Sequence, residues 1–150
     1  MAVRWTPGAV LKVGLADGRY AYAVMLGDAP YIAFFPMGAE LERGVAPAGD
    51  PLFVVGVQRN AYSRGGWGKP VAKLAPEDVP PTPRFFRQDR GTVDSCVIIE
   101  PGGDEHPATP AECAGLERAA VWADNHVVSR LEDHNAGRPN GIAERMRLET

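Results

Sequence analysis

The sequence predicts an α+β domain: a small, strongly twisted, mainly antiparallel sheet, open or barrel-like, with one long C-terminal helix packed on it. Three observations lead there. Asp17-Gly18 stands between two apolar runs, a strong hairpin signal because both residues tolerate the positive φ that tight hairpin turns need. Seventeen glycines and 14 prolines in 150 residues favour short strands and turns over long helices. Beyond residue 108, a helix-capping motif is followed by apolar residues at three- and four-residue steps, the spacing of one helix face.

Residues 1 to 9 lead in, with Trp5 placed to pack over the end of the hairpin. With a two-residue loop at Asp17-Gly18, Leu15 faces Tyr20, Val13 faces Tyr22 and Leu11 faces Val24, an apolar–aromatic ladder on one face. Gly14, Ala21, Lys12, Ala23, Val10 and Met25 then share the other face. Their mostly small size fits a close backbone approach, the coiling of a small barrel, or a plain hairpin buried on one side. After the turn Gly27–Pro30, the run Tyr31–Phe35 is apolar throughout, so it reads as a strand covered on both faces that completes a three-stranded meander. Residues 37 to 51 read as a loop carrying Glu40 and Glu42. Leu52–Val57 is the most apolar segment and the expected central strand, with Gly56 marking a bulge.

Gln58 to Lys69 reads as a long loop in which Trp67 stands between glycines. Trp67 either folds back to close one end of the core, the favoured reading, or forms an exposed anchor flanked by basic groups. Pro70–Leu74 is expected as a short edge strand. The proline-rich stretch 75–83 is an extended connector within one domain, anchored by Phe85 and Phe86. Val93–Ile99 is the expected last strand, followed by an acidic turn, Pro101–Pro107, that holds Asp104 and Glu105. Thr109-Pro110-Ala111-Glu112 is a capping-box pattern. Leu116, Ala120, Ala123, Val127 and Leu131 continue as a stripe, and Gly137 suits a left-handed cap. The helix is therefore expected over about 110–135. The domain spans 1–137, and 138–150 is expected as a polar, frayed tail.

The net charge of −3 speaks against a nucleic-acid binder, which usually carries a basic excess. Cys96 and Cys113 lack metal-ligand spacing and sit in apolar contexts, so both read as small buried hydrophobes. The N-terminus has no apolar signal core and no run reaches membrane-spanning length, which makes the cytoplasm the expected location. No phosphate-binding glycine loop and no nucleophile elbow is present. His126 and His134 are eight residues apart, too far to share one metal, and His106 lies in the acidic turn. No catalytic residue, metal site or cofactor is expected.

The segment Pro7-Gly8-Ala9-Val10-Leu11-Lys12-Val13, followed by Ala16-Asp17-Gly18-Arg19-Tyr20-Ala21-Tyr22-Ala23, resembles the opening of the immunity protein 26 family of bacterial polymorphic-toxin systems. Further segments match in order. Leu52–Val55 resembles that family's central strand, and Gly66-Trp67 with Pro70-Val71 its tryptophan-containing segment. Ala111–Leu131 resembles its C-terminal helix. The chain departs from the family at Ala9, where an acid is common, and at Ala23-Val24, which replace Gly-Arg. The resemblance implies an antitoxin that blocks a cognate toxin by direct protein binding, with no catalytic residue to carry over. The contact candidates are Glu40, Glu42, Trp67, Asp104 and Glu105. The carboxylates among them suit a basic nuclease, whose phosphate-binding site they could mask. A different class of function is a small-barrel module that binds single-stranded nucleic acid or peptide through Tyr62, Arg64 and Trp67. A hydrolase built on His106 or His126 with a carboxylate is the third.

Overall fold

A computed structural model describes residues 3–43, 46–64 and 66–150. Met1, Ala2, Gly44, Val45 and Gly65, which fall in the lead-in and in two of the loops above, lie outside the described residues. In chain order the elements are β1 (Ala9–Gly14), β2 (Tyr20–Met25), β3 (Tyr31–Phe34), β4 (Leu41–Glu42), β5 (Ala46–Pro47) and β6 (Phe53–Val57). Then come α1 (Arg59–Ser63), β7 (Ala72–Lys73), β8 (Phe85–Gln88), β9 (Cys96–Ile99), β10 (Glu105–Ala108) and α2 (Pro110–Cys113). The chain closes with β11 (Glu117–Arg118), β12 (Val121–Trp122), α3 (Asp124–Asn135) and α4 (Gly141–Arg145). The fold is α+β. Its strands form a six-stranded sheet ordered β12-β6-β3-β2-β1-β7, a four-stranded sheet ordered β10-β9-β8-β11, and the small β4-β5 ladder. The strand pairs are antiparallel except β12–β6 and β11–β8, and neither main sheet closes into a barrel.

The opening hairpin forms, and Asp17 and Gly18 do take positive φ, 61° and 72°. Its loop is one residue longer than expected. Ala16–Gly18 make a tight turn closed by the Leu15 N–H donating to the Arg19 carbonyl at 2.8 Å. Gly14 therefore pairs with Tyr20, Lys12 with Tyr22 and Leu11 with Ala23. A slip of one residue moves a whole strand's side chains to the other face, and it does so here. Leu11, Val13, Ala21, Ala23 and Met25 share the core that lies under α3, while Val10, Tyr22 and Val24 join a second core with Phe35 and Leu74. The expected aromatic ladder is therefore split. Tyr20 and Tyr22 pack edge-on to each other at 5.2 Å, and the Lys12 ammonium sits 4.2 Å over the Tyr20 ring.

Tyr31–Phe34 completes the meander as expected. The apolar strand β6 is not central: β12 adds in parallel outside it, so β6 is second from the edge. Gly56 serves that pairing rather than a bulge. A Cβ there would lie 2.8 Å from the Ala120 carbonyl oxygen, so only glycine lets the two backbones come this close. β7 is the short edge strand foreseen beside β1.

The C-terminal half departs most from expectation. Phe85 and Phe86 do more than anchor a connector, since both are buried in β8 of a second sheet. β9 is not the last strand: the chain turns at residues 101–104 and returns as β10. The long helix is broken. Its capping box exists, with the Glu112 N–H donating to Thr109 Oγ1 and the Thr109 N–H donating to Glu112 Oε1. However, α2 is one turn, and Gly115 takes φ 83°. The chain then contributes β11 to the small sheet and β12 to the large one, and helix resumes only at Asp124. Backbone pairing to two open sheet edges overrides the local periodicity. Val127 and Leu131 alone keep the predicted stripe inside a helix. Gly137 caps α3 as foreseen, with its N–H donating to the His134 carbonyl and that of Arg138 to Asp133.

Residues 138–150 are held rather than frayed. Asn140 caps α4 and donates to Asp133 Oδ2 at 2.9 Å. Arg118 donates from Nε to the Met146 carbonyl (3.0 Å) and from Nη1 to the Gln88 carbonyl (2.9 Å). The side-chain oxygen of buried Gln88 in turn accepts from the Glu149 N–H at 2.8 Å. The tail is thus laced to the second sheet by groups that the polar composition left unassigned.

Candidate functional site

The five contact candidates fall into three environments. Glu40 and Glu42 are exposed beside and within β4. Glu40 is fixed through its backbone, whose carbonyl accepts from the Ala48 N–H at 2.9 Å. Its charge reaches the sheet: burial, the neighbouring Tyr20 phenol and the nearby Glu40 carboxylate together raise the pKa of the Tyr22 phenol.

Trp67 belongs to the core instead. It is 6% exposed and packs edge-on against Phe34, 5.7 Å between centroids. Phe34 also stacks with Phe53 at 5.2 Å. The tryptophan thus closes one end of the large sheet, as the favoured reading expected, and presents no ring face for a partner. Tyr62 is equally buried and meets the edge of Trp5. Of the three residues proposed to stack on single-stranded nucleic acid, only Arg64 is exposed.

Asp104 and Glu105 lie in and after the β9–β10 turn and are both exposed. The Asp104 carbonyl accepts from the Glu100 N–H at 2.7 Å, and the Glu105 carboxylate pairs with Arg87 at 2.6 Å. This turn brings in residues that the sequence reading did not select. Glu100 accepts two hydrogen bonds from Arg84, at 3.0 and 3.2 Å, and its Oε2 lies 2.7 Å from His106 Nε2. The β8–β9 register explains the cluster: Phe85 faces Ile99, so Arg84 stands opposite Glu100. The hydrogen bond from His106 is the main influence that holds the Glu100 carboxyl below its usual range; desolvation opposes it, and the hydrogen bonds and charge of Arg84 add to the lowering. The same contact raises the pKa of His106. Both groups are solvent-screened surface partners. Only strand register, which local composition does not reveal, could have found this set.

Next to the cluster is a cavity of about 220 Å³ lined by Asp28, Tyr31, Thr82, Phe85 and Glu100. Its floor is Tyr31 stacked on Phe85 at 4.5 Å, and Thr82 Oγ1 donates to Asp28 Oδ2 at 2.9 Å. A wider groove of about 460 Å³ runs beside α3 along Asp124, Glu132 and Asp133. Its carboxylates are engaged. Glu132 accepts from the Ala16 N–H at 2.9 Å. Asn140 and Arg138 hold the Asp133 carboxyl below its usual range. His126 is exposed on α3. Among the described residues, no group of three or more His, Cys, Asp or Glu is placed to hold a metal, and no helix is long and apolar enough to cross a membrane.

Comparison with family models, with curated proteins and with solved structures finds no match to this chain.

Proposed function

We propose that this protein is an immunity protein that neutralises a cognate bacterial toxin in the cytoplasm by direct, stoichiometric binding, without catalysis. One observation carries the reading. The segments that resemble the immunity protein 26 family, far apart in the chain, meet in one core. Leu11 and Val13 of the opening motif, Phe53 and Val55 of the apolar strand, Trp67, and Trp122 with Val127 all belong to the same buried cluster. A resemblance scattered over unrelated surface would lack that convergence.

The acidic groups on this frame favour a basic partner surface. Glu40 and Glu42 are exposed beside and within β4, and Asp104 is exposed in the β9–β10 turn. Such groups raise the encounter rate with a basic toxin and select against acidic surfaces. The buried Trp67 drops out as a contact residue and becomes part of the support. The rival nucleic-acid reading loses its stacking platform with Tyr62 and Trp67.

Co-expression with the toxin encoded beside this gene tests the proposal. Cell survival, with a one-to-one complex on size exclusion, is the expected result. Continued killing with no complex refutes it. Binding of mixed-sequence oligonucleotides that weakens steeply with salt would favour the rival instead.

A further inference from the structure

Cys96 and Cys113 are separated by a hairpin and a helical turn, yet they share one small core with Phe86 and Ile98. The register explains it. Ala108, the last residue of β10, pairs with Cys96 on β9. The chain then makes one capped turn, with the Cys113 N–H donating to the Thr109 carbonyl at 3.2 Å, and so returns Cys113 over β9. Both cysteines are buried, Cys96 at 4% and Cys113 at 0% exposure. Cys96 Sγ donates to the Val93 carbonyl at 3.2 Å, and the Cys113 thiol lies in the same buried cluster, where burial and the neighbouring Cys96 thiol raise its pKa. Two free thiols thus share a cluster of four buried residues at the contact between a strand and a single helical turn.

We propose that Cys96 and Cys113 form an intramolecular disulfide when the protein meets a disulfide oxidant such as oxidised glutathione, a reversible latch that ties α2 to the second sheet. One cysteine gives up its proton, and its thiolate attacks a sulfur of oxidised glutathione. The S–S bond breaks, and the first glutathione leaves and takes up a proton. The second cysteine, deprotonated in turn, attacks the protein sulfur of the mixed disulfide and expels the second glutathione. Two protein thiols become one disulfide, and one oxidised glutathione becomes two thiols.

Burial keeps the Cys113 thiol protonated and out of reach of the oxidant while α2 is closed. α2 is one turn held by the Thr109–Glu112 capping box, so opening of that turn sets the rate. The oxidised latch fixes the corner from which the chain passes to β11 and then β12, one strand in each main sheet.

The test is timed incubation of the full chain with oxidised glutathione, acid quenching and mass spectrometry. Both cysteines lie on the tryptic peptide 91–118. That peptide is expected to become lighter by two hydrogens, to stay joined after further cleavage at its glutamates, and to revert with dithiothreitol. Thr109→Ala is expected to speed the reaction roughly fivefold, the effect of a typical lost cap on the opening equilibrium. In Cys96→Ser or Cys113→Ser the lighter peptide must not appear. A second arm refolds the unfolded chain in glutathione buffer, where burial no longer limits access. Two free thiols, or a glutathione on each cysteine, in both arms overturn the latch. An unchanged rate in Thr109→Ala overturns its control by α2.

Discussion

Replacing Gly56 by alanine tests whether the parallel docking of β12 on β6 holds the large sheet to the chain beyond α2. Gly56 is buried, and it pairs with Tyr31 on one side and Val121 on the other. The added Cβ would lie 2.8 Å from the Ala120 carbonyl oxygen and 3.5 Å from Pro30 Cγ. The first contact is with backbone, so one strand must retreat. β12 has only two residues, and its retreat strains the bond from the Gln58 N–H to the Trp122 carbonyl, now 2.9 Å. It also disturbs the packing of buried Trp122. Overpacking of this kind costs about 1–3 kcal/mol. For a chain of this size each kcal/mol moves Tm by roughly 2–4 °C. Gly14→Ala is the control: it too is a strand glycine without positive φ, but nothing lies within 4 Å of its added Cβ. Urea unfolding should show Gly56→Ala destabilised by at least about 1 kcal/mol, with Gly14→Ala within roughly 0.5 kcal/mol of the parent. Equal midpoints for the two variants would refute the close approach.

Other consequences can be measured on single variants. Gly18→Val places a β-branched residue at φ 72° and should cost about 1–2 kcal/mol without altering partner selectivity. An unchanged Tm would count against the turn. Trp67→Ala should cost roughly 3–5 kcal/mol, seen as a large loss of Tm in the absence of any partner. A stable variant that loses only toxin binding would restore Trp67 as a contact. Arg118→Ala removes the donors to Met146 and Gln88 and should cost about 1.5–3 kcal/mol, with faster proteolysis within 138–150. Equal cleavage rates would show that the tail is held by something else. For the Glu100–His106 pair the signs are opposed. The raised pKa of His106 means its contribution is complete below the ordinary histidine value of about 6.5 and is lost as pH rises through the raised one. The lowered pKa of Glu100 means its contribution is present above the ordinary carboxylate range and fades as pH falls through the lowered one. An NMR titration should therefore give His106 a midpoint above about 6.5, moving down in Glu100→Gln. No movement in that variant would break the pairing.

Local chemistry was enough for the turns and caps. Asp17-Gly18 specified positive φ, Thr109–Glu112 specified a helix start and Gly137 a helix end, because each depends on groups within a few residues. The same holds for the apolar runs at β3 and β6, which could only be buried strands. Trp67 was readable as a core residue because a large ring between glycines can fold back. The acidic contact candidates were readable only as charges in loops and turns. Their neighbours Arg84 and Glu100 were not, since these meet through the pairing of β8 with β9.

What the sequence determined by itself is therefore the α+β class, the opening meander, the edge strand β7 and the capping sites. Tertiary structure decided three things. It chose the hairpin register, because one extra loop residue is nearly neutral locally yet reassigns both faces of the sheet. It broke the long helix after Cys113, because β8 and β6 offered open edges whose hydrogen bonds outweighed a weak apolar stripe. It ordered the C-terminal tail, because Arg118 and Gln88 supply partners for backbone groups that no local pattern could name.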